Sequence, residues 1–475
     1  MPPDSPRPYR CPQAPPGWNV PGRERADDVD HVLTLVSPPP ANGTPDFHEH
    51  PDPNPFLRFR ELLHGFQLAR GSRGGERAFL ARVRSLGRAL EGAGAAGPRA
   101  TPLERSDRLS DALGFQPEGG VWIKDETQSP GGHKLRHLFG IALQLAPPSA
   151  SETPLCLALS EADGGREALA AARVARAAGH PLEVHLAAAT APALTRRLLD
   201  LGARPVFAAP CEEGCCDSAQ RRAREAAEAG EAIPFSSRES ENGLALEGGR
   251  TLGFELASDL ESGAAGVPAL DRLFLQVGRG ALASGAIQGF AELIRRGLSL
   301  WLPRVHAVQS AGAFPLRRAY DRLVRRALAR LEREEGLAPP TRSAGDRRRA
   351  DLLRARFNSP AVQAELRYAA THRSEFMWPW EREPEGAARE LLHREVDAWF
   401  PVLRGMLASG GWPLVVPDRT LQRAAASART TAGAARGRPL PLSATAGLAG
   451  VFALRQEGAL GDTERVAVVW TGGGD

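Results

Sequence analysis

The stretch from Pro154 to about residue 230 alternates short apolar runs with amphipathic ones. LCLALS is followed by REALAAARVARAAG, LEVHLAA by APALTRRLLDLG, and RPVFAA by CDSAQRRAREAAEAG. Strands separated by amphipathic helices demand crossover connections, and those build a parallel sheet covered by helices. The alternation resumes with LEGGRTLGFELASDL as a helix, DRLFLQV as a strand, ALASGAIQGFAELIRRG as a helix and RVHAVQS as a strand. It closes with the helix SATAGLAGVFALRQEG and the strand RVAVVW. The fold class is therefore α/β.

The flanking segments read differently. Residues 1–54 are rich in Pro, Asp and Gly and lack periodicity, so they predict an irregular or partly ordered extension. NPFLRFRELLHGFQLA has Phe56, Phe59, Leu62, Leu63 and Phe66 at helical spacing, and a second helix is expected over about Glu76–Gly92. Residues 313–400 are mainly helical and Arg-rich. Their run RRAYDRLVRRALARLERE mixes acids with its arginines, which marks a solvated helix face rather than a nucleic-acid groove.

Composition excludes several classes. The net charge is only +4, too small and too dispersed for a nucleic-acid binder. No apolar run reaches the ~18 residues of a membrane span, and the N-terminus lacks the apolar core of a signal peptide. A cytoplasmic home is expected. Five cysteines do not make a disulfide scaffold. Cys211, Cys215 and Cys216 lie close together but have no second ligand pair, so free thiols are expected and no metal.

Lysine plus arginine totals 60, yet only Lys124 and Lys134 are lysines. Arginine stays protonated, whereas lysine can lose its proton and attack a carbonyl to form a Schiff base. Lysines that persist in such a chain are candidates for that chemistry. Lys134 sits in KDETQSPGGHKLRH, just after a Gly-Gly turn and at the head of a predicted helix, where anions are also favoured. His133 is either a phosphate contact or merely exposed. Lys124 reads as a basic residue paired to Asp125 or Glu126.

Three further motifs place a strand end against a turn. In VGRGALASG, Gly278 and Gly280 with the amides that follow can cradle a phosphate at a helix N-terminus. The same residues fit the dinucleotide pattern GxGxxG/A, but the next strand, RVHAVQS, offers no acid for the ribose, so a monophosphate fits better than a dinucleotide. In SEADGGREALA, free amides can take a substrate carboxylate. Glu161 and Asp163 are acid–base candidates there, or Asp163 caps the helix with Glu161 in solvent. In VAVVWTGGGD, Thr471 stands where open α/β sheets place ligands, and its hydroxyl can bond a heterocyclic nitrogen or simply cap the strand end.

Taken in order, these motifs resemble the fold type II pyridoxal-phosphate enzymes: threonine synthase, the serine/threonine dehydratases, cysteine synthase and the tryptophan synthase β chain. The likeness runs from about Asn54 to the C-terminus and includes TPLERSDRL at 101–109. It implies that the Schiff-base lysine falls on Lys134. It puts the phosphate loop on Gly278, Arg279, Gly280, Ala281 and Leu282, and the residue facing the pyridine nitrogen on Thr471. GGHK and TGGGD are closest to the β-chain patterns, and that alignment puts Glu161 on the β chain's catalytic glutamate. NPFLRFRELL, MWPWE and SATAGLAG are closer to threonine synthase relatives. The sequence departs from the family in three places. Asp163 or a glycine stands where the family has an asparagine on the ring hydroxyl, Gly132 replaces the usual serine, and Arg279 replaces a common glycine, where it would add a charge to the phosphate.

The resemblance implies two lobes, each with a twisted, mostly parallel sheet flanked by helices. Residues 55–138 and 251–475 would form the large cofactor-binding lobe, with the helical insertion at about 313–400, and 139–250 the small lobe. The cofactor would be pyridoxal 5'-phosphate, and the reaction an elimination or replacement at the β or γ carbon of a small-molecule amino-acid substrate. Neither nucleic acid nor membrane is expected as a partner, and a homodimer is left open. The rival readings are a nicotinamide-linked dehydrogenase, a β-replacement enzyme using Glu161, and a pyridoxal-phosphate-binding homologue without catalysis.

Overall fold

The computed structural model describes residues 7–18, 27–34, 52–71, 74–129, 131–145, 155–161, 165–209, 218–261, 270–299, 301–338, 340, 345–429 and 440–472. Two sheets organise them. The larger has six strands: β1 (Leu103–Arg105), β2 (Gly120–Asp125), β7 (Arg272–Gln276), β8 (Arg304–Ser310), β9 (Leu414–Val416) and β10 (Arg465–Trp470), in the order β1-β2-β10-β7-β8-β9. Only the β1/β2 pair is antiparallel. The smaller sheet is all parallel, with β3 (Leu157–Glu161), β4 (Leu182–Ala187), β5 (Arg204–Ala208) and β6 (Ile233–Pro234) in the order β5-β4-β3-β6.

Parallel strands need crossovers, and the crossover helices cover both faces. Central strands accordingly lose their polar alternation: β2, β3 and β7 are buried along their whole length. Among the described residues, no helix is long and apolar enough to cross a membrane.

Three helices pack on one another through glycine contacts. The helix Ala245–Glu261 packs against His133–Gln144 on one side and Ala281–Arg295 on the other. A Cβ on Gly140 would lie 2.6 Å from Gly248 N, one on Gly285 2.8 Å from Gly249 C, and one on Gly289 2.8 Å from Gly253 Cα. The backbones approach so closely that even a methyl group would push them apart. This fixes the helix carrying Lys134 relative to the helix that follows Gly280.

Two expectations need correction here. The stretch from Asn54 is not one helix: it breaks into Pro55–Arg58, the 3-10 turn Arg60–Leu62 and His64–Arg70, because Leu63 is extended. Lys124 does not pair with Asp125 or Glu126. It is fully buried, its Nζ lying 2.9 Å from Glu255 Oε2 and 2.9 Å from Asp259 Oδ2, while Glu126 accepts from Arg136 at 2.8 Å. Asp125 instead accepts from Thr127 N. Periodicity places Lys124 on a strand but says nothing of carboxylates more than 130 positions away.

Residues 311–413 form the crossover from β8 to β9 and include the helices Pro315–Glu335, Gly345–Ala355 and Pro360–Thr371. The N-terminal residues 27–34 dock on this region, with Asp30 N donating to Ala370 O and Arg373 N to Asp28 O. The cluster of Cys211, Cys215 and Cys216 lies outside the described residues. Among the described residues there is no group of three or more side chains able to hold a metal.

Candidate active site

The cleft forms where strand ends of the two sheets meet. Gly131 and Gly132 have φ of +78° and +60°, left-handed values that glycine adopts at little cost. That turn delivers Lys134, the second residue of the helix His133–Gln144, into the cleft with one-fifth of its side chain exposed. Its Nζ lies 3.4 Å from Glu167 Oε2. The other oxygen of Glu167 accepts from Ser237 N at 2.6 Å and Ser237 Oγ at 2.8 Å. Burial pushes the Glu167 carboxyl up, but Lys134, Arg238 and the Ser237 hydrogen bonds outweigh it, leaving it below the usual carboxylate range. His133 is held well below the ordinary histidine value by burial and by the charges of His137 and Lys134, so it faces the cleft as a neutral ring.

Across the cleft, β7 runs into Gly278-Arg279-Gly280 and then the helix Ala281–Arg295. Gly280 is the N-cap, with φ +97°, and no side chain caps the helix. The first-turn amides of Ala281, Leu282 and Ala283 have no carbonyl partner within the helix, and they make a positive end suited to an anion. Residues of the β8–β9 crossover form the wall over this loop. A Cβ on Gly278 would lie 2.5 Å from Glu390 O and 2.9 Å from His393 Cδ2, and one on Gly280 3.0 Å from Val396 Cγ1. Ala398 N donates to Arg279 O at 3.1 Å.

Thr471 follows β10 and is buried at the cleft floor. Its Oγ1 accepts from Gln276 Nε2 at 3.0 Å. That amide also donates to Val469 O at 3.0 Å, which fixes its orientation. The Thr471 oxygen accepts in that bond, which leaves its own proton to donate elsewhere.

Lys134, His133, Gly278, Arg279, Gly280, Ala281, Leu282 and Thr471 thus line one cleft, with about 960 Å³ of non-atom space including its open mouth. Glu161 is not among the residues that line it. Glu161 ends β3, and its carboxylate accepts from Ala168 N at 3.0 Å, tying it to the start of the next helix. Glu167 is the acid that faces Lys134. Asp163 lies outside the described residues. Arg279 lines the cleft, but its guanidinium is committed to Asp397 at 3.3 Å rather than extended over the loop. Sequence reasoning passed over Glu167, Arg166, Arg238, Gln276, Glu390, His393 and Ser443, all of which line the cleft. Arg166 and Glu167 left a signal, as charged residues opening the helix within SEADGGREALA. The others arrive through long-range packing.

The model of the family described as pyridoxal-phosphate dependent enzyme matches residues 95–365, more than half of the chain. The chain belongs to the pyridoxal-phosphate dependent enzyme family. No curated protein sequence matches it. Among solved structures it is similar to threonine deaminase isoform 2 from Solanum lycopersicum, with 15% identity, 85% of this chain and 91% of that chain covered, and a TM-score of 0.52. It is similar also to the L-serine ammonia-lyase of Rhizomucor miehei, with 18% identity, 79% and 94% coverage and a TM-score of 0.52. Serine racemase from Dictyostelium discoideum gives 14% identity, 83% and 98% coverage and a TM-score of 0.52. At these identities the likeness is one of fold, the fold type II architecture of two helix-flanked parallel sheets.

The residues present fit the family's cofactor, pyridoxal 5'-phosphate. An amine, an uncapped helix end and a neutral hydroxyl donor line the same cleft, offering a partner to the carbonyl, the phosphate and the ring nitrogen. Buried Gln276 Oε1, beside Thr471, has no hydrogen-bond partner among the described residues, leaving an acceptor at the cleft floor. The wall residues Glu390 and His393 lie beyond residue 365, outside the span the family model matches.

Proposed function

We propose that this enzyme is a lyase or synthase acting on a free amino acid by elimination or replacement at the β or γ carbon, in the manner of threonine synthase or a dehydratase. The observation that carries the reading is the Gln276–Thr471 hydrogen bond. It orients the Thr471 hydroxyl, a neutral group that would donate to the ring nitrogen where a carboxylate would hold that nitrogen protonated. A neutral ring is the weaker electron sink, which favours elimination and replacement over transamination.

When bound, pyridoxal phosphate supplies the electron sink for charge at the substrate's Cα. In this reading Lys134 holds the cofactor's carbonyl carbon, the amides of Arg279 to Leu282 its phosphate, and Thr471 its ring nitrogen. Glu167 positions Lys134 Nζ, while Ser237 fixes the carboxylate that does so. Once free, the Lys134 amine is the base for the Cα proton. Glu390, His393 and Val396 pack over Gly278 and Gly280 and form the wall above the phosphate loop.

The test is a panel of L-serine, L-threonine, their O-phosphorylated and O-acetylated forms and L-2,3-diaminopropionate. Keto acid, ammonia and amino-acid products are all monitored. Keto acid with ammonia, or a new amino acid, supports the reading. Racemisation alone overturns it, and no turnover on any substrate favours the homologue without catalysis.

A further inference from the structure

Arg166 and Glu390 meet in the cleft, and their contact has no part in the roles described so far. Arg166 is the first residue of the helix Arg166–Ala178, which follows β3 of the smaller sheet. Glu390 belongs to the 3-10 turn Arg389–Leu391 in the β8–β9 crossover. The Arg166 guanidinium pairs with Glu390 Oε1, and Ser443 Oγ donates to Glu390 Oε2. A Cβ on Gly472 would lie 2.8 Å from Arg166 Nη1, so the guanidinium stands beside the backbone that follows Thr471. Both side chains remain about one-third exposed, within reach of a solute entering the cleft.

Among the described residues lining the cleft, Arg166 is the cation placed to meet an incoming carboxylate. Lys134 faces Glu167, and Arg279 is paired with Asp397. Arg238 is buried, donating to Ser160 Oγ at 2.9 Å and Glu241 Oε1 at 2.8 Å. The helix end beside Arg166 has given one of its amides, Ala168 N, to the Glu161 carboxylate. A partly exposed ion pair is weak and exchanges readily with a competing carboxylate.

We propose that Arg166 is the carboxylate-binding residue for the amino-acid substrate, and that Glu390 is an internal acid occupying that position until substrate displaces it. The proposal rests on the amino-acid reading given above. Substrate carboxylate takes the guanidinium, Glu390 remains with Ser443, and the contact between the smaller sheet's helix and the crossover is exchanged for one through the substrate. Glu390 thereby sets an affinity threshold: a ligand lacking a carboxylate cannot open the pair.

The test is residue-resolved phenylglyoxal labelling of the holoenzyme, with Arg166 read by peptide mass mapping. Glu390→Gln should raise the Arg166 labelling rate about fivefold, the scale of an exposed ion pair. L-Alanine and acetate should protect Arg166, at lower concentration in Glu390→Gln than in wild type, and L-alaninamide should not. Arg166→Gln should abolish the L-alanine-induced change in cofactor absorbance, with Arg166→Lys restoring part of it. An Arg166 labelling rate unchanged by Glu390→Gln overturns the proposal, as does absence of carboxylate protection. Labelling and acetate protection need no turnover. A holoenzyme that passes both yet transforms nothing in the panel fails the reaction reading and leaves the arginine site standing.

Discussion

Lys134 Nζ lies 3.4 Å from Glu167 Oε2, and the two residues occupy the same position, the second, in helices that follow different turns. Glu167 is locked by Ser237 through both backbone and hydroxyl, so it is a fixed anion against which Lys134 is positioned. Glu167→Gln keeps the shape and both Ser237 contacts while removing the charge. Cofactor should remain bound and turnover should fall about a hundredfold, the cost of a misplaced catalytic group. Equal turnover in the variant, measured on whichever panel substrate reacts, would show that Lys134 is positioned without it.

The Gly280 turn predicts a split between folding and cofactor affinity. Its φ of +97° and the nearby Val396 penalise any side chain, and an acid adds negative charge beside the uncapped helix end. Gly280→Asp should fold with a stability loss of roughly 1–2 kcal/mol and bind pyridoxal phosphate at least about tenfold more weakly. An absorbance titration of the apoprotein, alongside urea unfolding, reads both.

Thr471 separates a donor role from a strand-end role. Thr471→Ser retains the hydroxyl that Gln276 orients, and should keep the cofactor spectrum and most turnover. Thr471→Asp should move ring protonation and impair turnover by more than about tenfold, with cofactor still attached. The nitrogen-15 shift of ring-labelled cofactor distinguishes the two. If Thr471 only caps the strand, both variants would change stability modestly and leave that shift alone.

Glu239 supplies a pH signature. Its Oε2 accepts from Ser284 Oγ at 2.8 Å, and its Oε1 is buried with no partner among the described residues. Burial, opposed by the Ser284 hydrogen bond and reinforced by Asp397 and Asp30, pushes the carboxyl up to about 8 from an ordinary 4.5. The folded value is raised, so its stabilising effect is full below pH 4.5 and lost as pH rises through about 8. Glu239→Gln should therefore match wild type near pH 4.5 and exceed it by roughly 3–5 kcal/mol at pH 8.5. Urea unfolding at the two pH values checks the sign.

Much of the framework was legible because parallel sheets write a strong signal. Crossover helices and apolar strands alternate, and the turns that end at Lys134, Gly280 and Thr471 announce themselves through glycine or chain position. Which acid faces Lys134 was not legible. Glu161 and Glu167 flank one short loop, and only the three-dimensional path decides that the first ties to Ala168 while the second enters the cleft. The partners of Lys124 were hidden for a related reason: Glu255 and Asp259 are contributed by a distant helix. The wall of Glu390, His393 and Val396 left no local mark, since nothing in its composition says that it will fold back over Gly278 and Gly280.

The two lysines carry opposite assignments, and one measurement addresses both. Lys124 is fully buried between Glu255 and Asp259, which raise it above the usual lysine range against the pull of burial, so it is held as a cation and has no access to the cleft. Lys134 stands in the cleft with the phosphate loop and Thr471. Borohydride reduction of the holoenzyme, followed by peptide mass mapping, should find the cofactor fixed to Lys134 alone, and Lys134→Arg should abolish the adduct because a guanidinium does not act as the amine nucleophile. An adduct on Lys124, or a reduced holoenzyme with no labelled lysine, would contradict the account.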